Sequence, residues 1–159
     1  MKTYSDALKE NSDIVKHLPI LKEYASKCEN ILEIGLGFGN STLAFLEASP
    51  KEVITIEIDK NWGKDILENL FIVAKEKNVK YNIIYADSRN LTIDDKFDML
   101  LIDGDHSYLT VKKELEIYPN YINKYIAFHD IVTFGYRDMI ITPENHKHGI
   151  NWAIEEFLQ

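Results

Sequence analysis

Ile31-Leu-Glu-Ile-Gly-Leu-Gly-Phe-Gly-Asn-Ser-Thr42 is the stretch that decides the fold. Four strand-forming residues run into a turn with glycine at 35, 37 and 39, and the apolar helical run Leu43–Ala48 follows. Glycine allows the chain to turn tightly and a ligand to approach the backbone closely, and Asn40 or Ser41 can cap the helix. The spacing is not the dinucleotide fingerprint G-x-G-x-x-G, because Asn40 stands where the last glycine would. A nicotinamide-dependent enzyme is thereby disfavoured.

Outward from this turn, short apolar runs alternate with amphipathic segments. The runs are Ile31–Ile34, Val53–Ile58, Tyr81–Tyr85, Phe97–Ile102 and Tyr125–Phe128, short and rich in branched and aromatic residues, as strands buried on both faces should be. Ile66, Leu67, Leu70, Val73 and Ala74 share one helix face, as do Ile150, Ala153, Ile154, Phe157 and Leu158. Near the start, Ile20, Leu21, Tyr24, Ala25 and Cys28 share another, with Pro19 suited to the first turn. This alternation predicts an α/β doubly wound, Rossmann-like parallel sheet with helices on both faces. Ligands bind such sheets beyond the carboxyl ends of the strands, so the residues after each strand carry the functional reading. The second strand ends Ile56-Glu57-Ile58-Asp59, and Glu57 lies 22 residues after Gly35. A carboxylate there can accept both hydroxyls of an adenosine ribose.

Taken together, I-L-E-I-G-L-G-F-G-N-S-T and V-I-T-I-E-I-D resemble the first two motifs of class I S-adenosylmethionine-dependent methyltransferases. Tyr85-Ala-Asp-Ser88 is similar to their adenine-holding segment. Phe97-Asp-Met-Leu-Leu-Ile-Asp-Gly-Asp-His-Ser-Tyr108 and Ile126-Ala-Phe-His-Asp-Ile131 resemble the catechol-type and macrocin-like sugar O-methyltransferase branch, and Ser12-Asp-Ile-Val-Lys-His-Leu-Pro19 its lead-in helix. The resemblance covers about residues 12 to 158. It implies strand order 3-2-1-4-5 and S-adenosylmethionine as cofactor. Glu33, Gly35, Gly37, Gly39 and Ser41 would belong to the methionine-side turn, Glu57 and Ile58 to the ribose and Asp87 and Ser88 to adenine. Asp103 would face the methionine amino group or a metal. Acidic strand ends suit a ligand that carries a sulfonium and an ammonium group.

The fourth strand ends Asp103-Gly-Asp-His106 and the fifth His129-Asp130. Methyl transfer to oxygen needs a polarised or deprotonated hydroxyl, which a metal or a general base within hydrogen-bond reach can supply. By the resemblance the metal positions are Asp103, His129 and Asp130, and the catalytic base is His106 or Asp105. Relatives that bind magnesium offer oxygen ligands at all three positions. Imidazole suits Mn, Fe, Co, Ni or Zn, so either the divalent metal is not magnesium or His129 orients Asp130 or the substrate. The expected function is O-methylation of a small-molecule or sugar hydroxyl. The alternative is a cofactor-binding or assembly module that has the fold without catalysis.

Other signals bound the reading. Lys112-Lys-Glu-Leu-Glu116 reads as a charged helix face, His146 and His148 as part of a solvated loop, and Arg89 and Arg137 as contacts for an acidic acceptor. Tyr108, Tyr136 and Trp152 are pocket or packing aromatics. The 159 residues form one expected domain, with lead-in helices over 1–29 and the core over 30–159. A net charge of -8 argues against a nucleic-acid partner. No apolar run approaches the roughly 18 residues of a membrane span. One cysteine and no leader segment lead us to expect a cytoplasmic protein. The family's final antiparallel hairpin is missing from the pattern, and Asp138–Thr142 is a weak sixth strand. The fifth strand would then need cover from residues 131–149 or from a second subunit in a homodimer.

Overall fold

The structure, a computed structural model, describes residues 1–138 and 147–159. The elements are α1 (Tyr4–Ala7), α2 (Leu18–Ala25), β1 (Asn30–Ile34), α3 (Asn40–Ala48), β2 (Glu52–Glu57), α4 (Lys64–Glu76), β3 (Lys80–Tyr85), β4 (Phe97–Ile102), α5 (Tyr108–Ile117), β5 (Ile122–Phe128) and α6 (Ile150–Phe157), with short 3-10 turns at Asp13–His17, Ser88–Asn90 and Pro119–Tyr121. The five strands are parallel in the order β3-β2-β1-β4-β5. This is the expected Rossmann-like arrangement, except that no helix longer than the Ser88–Asn90 turn separates β3 from β4.

Alternation along the central strands divides the core in two. Ile31, Val53, Met99 and Leu101 face α2, α3 and α4, whereas Leu32, Ile34, Leu100 and Ile102 face α5 and α6. Glu33 breaks the apolar pattern and is fully buried. Its carboxylate accepts hydrogen bonds from the hydroxyls of Ser41, Thr42 (2.7 Å) and Thr55 (2.7 Å), tying β1 to β2 and to the first turn of α3. Burial pushes the Glu33 carboxyl up to about 7, against the pull of the three hydroxyls.

Several boundaries move. Gly39, at φ +73°, caps α3, so Asn40 and Ser41 lie inside its first turn. β2 ends at Glu57, and Ile58 is 67% exposed. β5 starts at Ile122 rather than Tyr125 because a sheet edge tolerates polar residues: Lys124 pairs with Asp98 at 3.0 Å. Ile20 and Tyr24 lie on an open side of α2 instead of joining Leu21 and Ala25 in the core. Phe157 and Leu158 are exposed at the end of α6.

Among the described residues β5 pairs only with β4, and residues 131–133 border its carboxyl end. The expected sixth strand lies, past Asp138, outside the described residues, as does His146. Asp138 is buried: its carboxylate accepts the backbone N–H groups of Tyr108 (2.9 Å) and Gly149 and pairs with His148 Nδ1 at 2.9 Å. No helix among the described residues is long and apolar enough to cross a membrane.

Glu33 makes stability depend on pH with a definite sign. Between the ordinary value of 4.5 and about 7 the unfolded chain releases this proton while the folded chain keeps it, so stability falls as pH rises. The loss amounts to about 3 kcal/mol across that window. In urea unfolding at pH 5 and pH 8, Glu33→Gln should therefore gain stability relative to the parent on going to pH 8. An identical pH dependence in both proteins would contradict the buried protonated carboxyl.

Candidate active site

The floor of the site is the turn between β1 and α3. Gly35 has φ +94°, and a Cβ at this position would stand 2.1 Å from the carbonyl oxygen of Asp103, so the ends of β1 and β4 meet only because the residue is glycine. Gly37, at φ +52°, would meet nothing within 4 Å, and the space above it is open. Glu57, nearly buried, fastens the turn from the side: its two oxygens accept the N–H groups of Leu36 (2.9 Å) and Asp59 (3.0 Å). The N-terminal segment closes the other side, where Lys2 donates to Asn40 Oδ1 (2.6 Å) and Asn40 Nδ2 donates to Glu10 (2.8 Å). The resulting cleft, about 160 Å³, reaches from Gly37 and Phe38 to Asp103, His129 and Asp130.

At the far end of that cleft the ends of β4 and β5 bring Asp103, His106, His129 and Asp130 together, one potential ligand atom from each within 4.8 Å of all the others. His129 Nδ1 lies 3.0 Å from Asp103 Oδ1 and 3.5 Å from Asp130 Oδ2, and His106 Nε2 lies 3.3 and 3.6 Å from the same two atoms. Asp130 takes φ +58°, a left-handed conformation that aspartate tolerates better than most residues. Burial works against ionisation of Asp103, but hydrogen bonds and charge from the two histidines hold its carboxyl below the usual range. For His129 burial works downward, and the hydrogen bond to Asp103 with the charges of Asp103, Asp130 and Asp13 carries the imidazole above its ordinary value.

His106 is buried, and among the described residues its Nδ1 has no hydrogen-bond partner. The ring is held instead by stacking on Phe134, with centroids 5.2 Å apart and planes 6° from parallel. Asp105 is not drawn into the cluster: it is exposed, and it accepts from Ser107 N–H (3.2 Å), the Ser107 hydroxyl (3.0 Å) and the Thr110 hydroxyl (2.7 Å) at the start of α5.

The remaining expected site residues are spread along the carboxyl ends of the strands. Glu33 and Ser41 lie bonded to each other beneath the turn, and Ile58 stands at the rim. Asp87 is chelated by Arg89 (2.9 and 2.7 Å), which occupies that arginine within the protein. The Ser88 hydroxyl donates to Glu114 at 2.6 Å and the Tyr118 hydroxyl to the Ser88 carbonyl at 2.6 Å. Tyr108 bonds Glu156, and Tyr136 and Trp152 meet edge to face at 5.7 Å, so these aromatics serve the α5–α6 side. Arg137 donates to the Thr133 carbonyl.

Four residues near the site escape the sequence reading. His17 meets the His129 ring edge to face at 5.6 Å, Asp13 lines the same cleft, and Phe134 stacks on His106; nothing local marks any of them. Glu114 did carry a signal. It shares the helix face of Val111, Leu115 and Tyr118, which contradicts a solvated charged face, and it is fully buried with its carboxyl raised to about 7 by burial.

Comparison with known proteins covers the same region. Uncharacterized protein R132 of Acanthamoeba polyphaga mimivirus is 28% identical over 149 residues, which is 81% of this chain and 65% of that protein. A Staphylococcus aureus structure assigned as a caffeoyl-CoA O-methyltransferase superposes with a TM-score of 0.62 at 26% identity, over 76% of this chain and 59% of that one. The O-methyltransferase TomG from Streptomyces achromogenes, in complex with SAM, has a TM-score of 0.63 at 16% identity, over 98% of this chain and 74% of its own, and so shares the fold. The chain thus spans somewhat less than two thirds of R132 and of the S. aureus protein. Residues 32–131, from β1 through the Asp103 and His129 strand ends, match the family described as a methyltransferase domain, and the chain belongs to that family.

Proposed function

We propose that this chain is an S-adenosylmethionine-dependent methyltransferase acting on a hydroxyl of a small molecule or sugar, with a divalent metal at the reaction centre. The observation that carries the reading is the convergence of Asp103, His106, His129 and Asp130 at the end of the cleft that opens over Gly37. TomG, which has this fold, is in complex with SAM, which supports the choice of cofactor.

Each residue then has a physical role. Gly35, Gly37 and Gly39 keep the turn bare of side chains, and the open space above Gly37 admits the methionine end. Each Glu57 oxygen accepts one backbone N–H and has lone-pair capacity left for a ribose hydroxyl. Ile58, Asp87 and Ser88 lie farther along the strand ends, toward adenine. Ionised Asp103 suits the cofactor's ammonium group or the metal. The donor set fits a metal: Asp103, His129 and Asp130 would hold it, and it would lower the pKa of the acceptor hydroxyl. With an imidazole among the donors the site favours Mn, Fe, Co, Ni or Zn over magnesium. A metal-bound histidine usually donates its second ring nitrogen to a carboxylate or carbonyl. Among the described residues His106 Nδ1 has no such partner, and His106 is assigned to proton transfer at Nε2 and not to the metal. Asp105, committed by its hydrogen bonds to the start of α5, is the second candidate.

Three experiments test this assignment. Calorimetry should show S-adenosylhomocysteine binding at least tenfold weaker to Glu57→Gln than to the parent, with circular dichroism unchanged; equal affinity would remove Glu57 from the ribose site. Paramagnetic resonance should show one Mn²⁺ bound by the parent and affinity at least tenfold lower in His129→Ala and in Asp130→Ala. Methyl transfer should be stimulated more by Mn²⁺ or Co²⁺ than by Mg²⁺. Full activity in the presence of a chelator would rule out the metal.

A further inference from the structure

A larger cavity, about 430 Å³, adjoins the cleft and shares Asp13, His129 and Asp130 with it. It runs down the face of the sheet between α2 and the outer strands. Ile20 and Tyr24 of α2 form one wall, and Met99, Leu101, Tyr125 and Ala127 of β4 and β5 the other. Ile20 and Tyr24 are the side chains that the core leaves out, at 47% and 38% exposure. The cavity is polar at one end, where Asp13, His17, His129 and Asp130 stand. At the other end the Tyr24 and Tyr125 rings meet edge to face at 4.9 Å. From Tyr125 to His129 the strand rises about 13 Å.

We infer that this groove takes the body of the methyl acceptor, and that the acceptor is a hydroxyl compound with an elongated apolar tail and not a sugar. The inference rests on the methyltransferase reading above. The volume is that of a small-molecule site. A hydroxyl placed at His129 and Asp130 leaves the rest of the molecule along the groove, beside Ile20, Met99, Leu101 and Ala127. A sugar would bring several hydroxyls against these side chains, which offer no hydrogen bonds, and each unpaired group would cost binding energy. An alkyl or aryl tail of about 10–13 Å matches the length instead. The polar end and the junction with the cleft favour such a ligand over a second copy of the chain packed on the β5 edge.

A series of 4-alkylcatechols from methyl to octyl tests the assignment, with S-adenosylmethionine and Mn²⁺ present. Burial of each added methylene should raise kcat/KM about three- to fourfold until the tail outruns the groove. Ile20→Asp, at a half-exposed position the fold tolerates, should flatten the series while S-adenosylhomocysteine affinity stays unchanged. A flat series in the parent would overturn the inference. So would a methyl glycoside turned over as well as octylcatechol, or a parent dimer that Ile20→Asp converts to monomer without any tail-length effect. Direct calorimetric binding of octylcatechol keeps the two readings separate. If the parent binds no S-adenosylhomocysteine, the methyltransferase reading fails, whereas octylcatechol binding weakened by Ile20→Asp still supports the groove and its absence overturns it.

Discussion

The contact between Gly35 and the carbonyl oxygen of Asp103 sets the geometry on which the candidate site depends. No side chain fits between the ends of β1 and β4, and φ +94° at Gly35 excludes ordinary L residues in any case. The approach is kept by a ladder that continues past the strands: Gly35 N–H donates to Ile56 O and Asp103 N–H to Ile34 O, each at 2.9 Å. Three strand ends are thereby locked in one plane. Asp103 is placed where the turn stops, and His129, whose N–H donates to Ile102 O at 3.1 Å, follows one strand farther out.

Buried carboxyls do the remaining fastening, and their surroundings decide their charge. Glu33 and Glu114 are fully buried; Glu33 is met by hydroxyls from Ser41, Thr42 and Thr55, and Glu114 by that of Ser88, and burial lifts both to about 7. Hydroxyl donors offset only part of the desolvation of a carboxylate. Asp103 is half-buried at the cleft and faces two imidazoles, which bring charge as well as hydrogen bonds, and its carboxyl stays low. Glu33 and Glu114 therefore brace the turn and the Ser88 segment, while Asp103 stays ionised at the mouth. A cation at that mouth, whether metal or ammonium, finds its charge already complemented.

How much of this could be read from the residues follows from the range of the forces involved. The five strands come through because the mostly buried β1, β2 and β4 read as short, largely apolar runs, while their order comes from the family resemblance. The start of β5 does not, because an edge strand can carry Asn123 and Lys124 without burying them. The pairing of Asp103 with His129 was legible, since adjacent parallel strands must end side by side. The separation of His106 from Asp105 was not: both lie in the loop between β4 and α5, where no period fixes direction, and only the bonds of Asp105 to Ser107 and Thr110 show which one is engaged elsewhere. Phe134, Asp13 and His17 reach the site through tertiary packing, which has no period in the sequence. The groove beside α2 was hidden for the opposite reason. Ile20 and Tyr24 obey the helical period, and period alone does not say that one stripe of it borders a groove instead of the packed core.

The central claim is that the carboxyl ends of β1, β2 and β4 form the donor site. Amide chemical-shift mapping during titration with S-adenosylhomocysteine addresses it most directly. The account predicts that the large shifts fall on Gly35–Gly39, Glu57–Asp59 and Asp103, with the far end of the sheet, around Asn30 and Phe97, left unmoved. Saturable shifts confined to other surfaces, or no shifts at millimolar ligand, would contradict it.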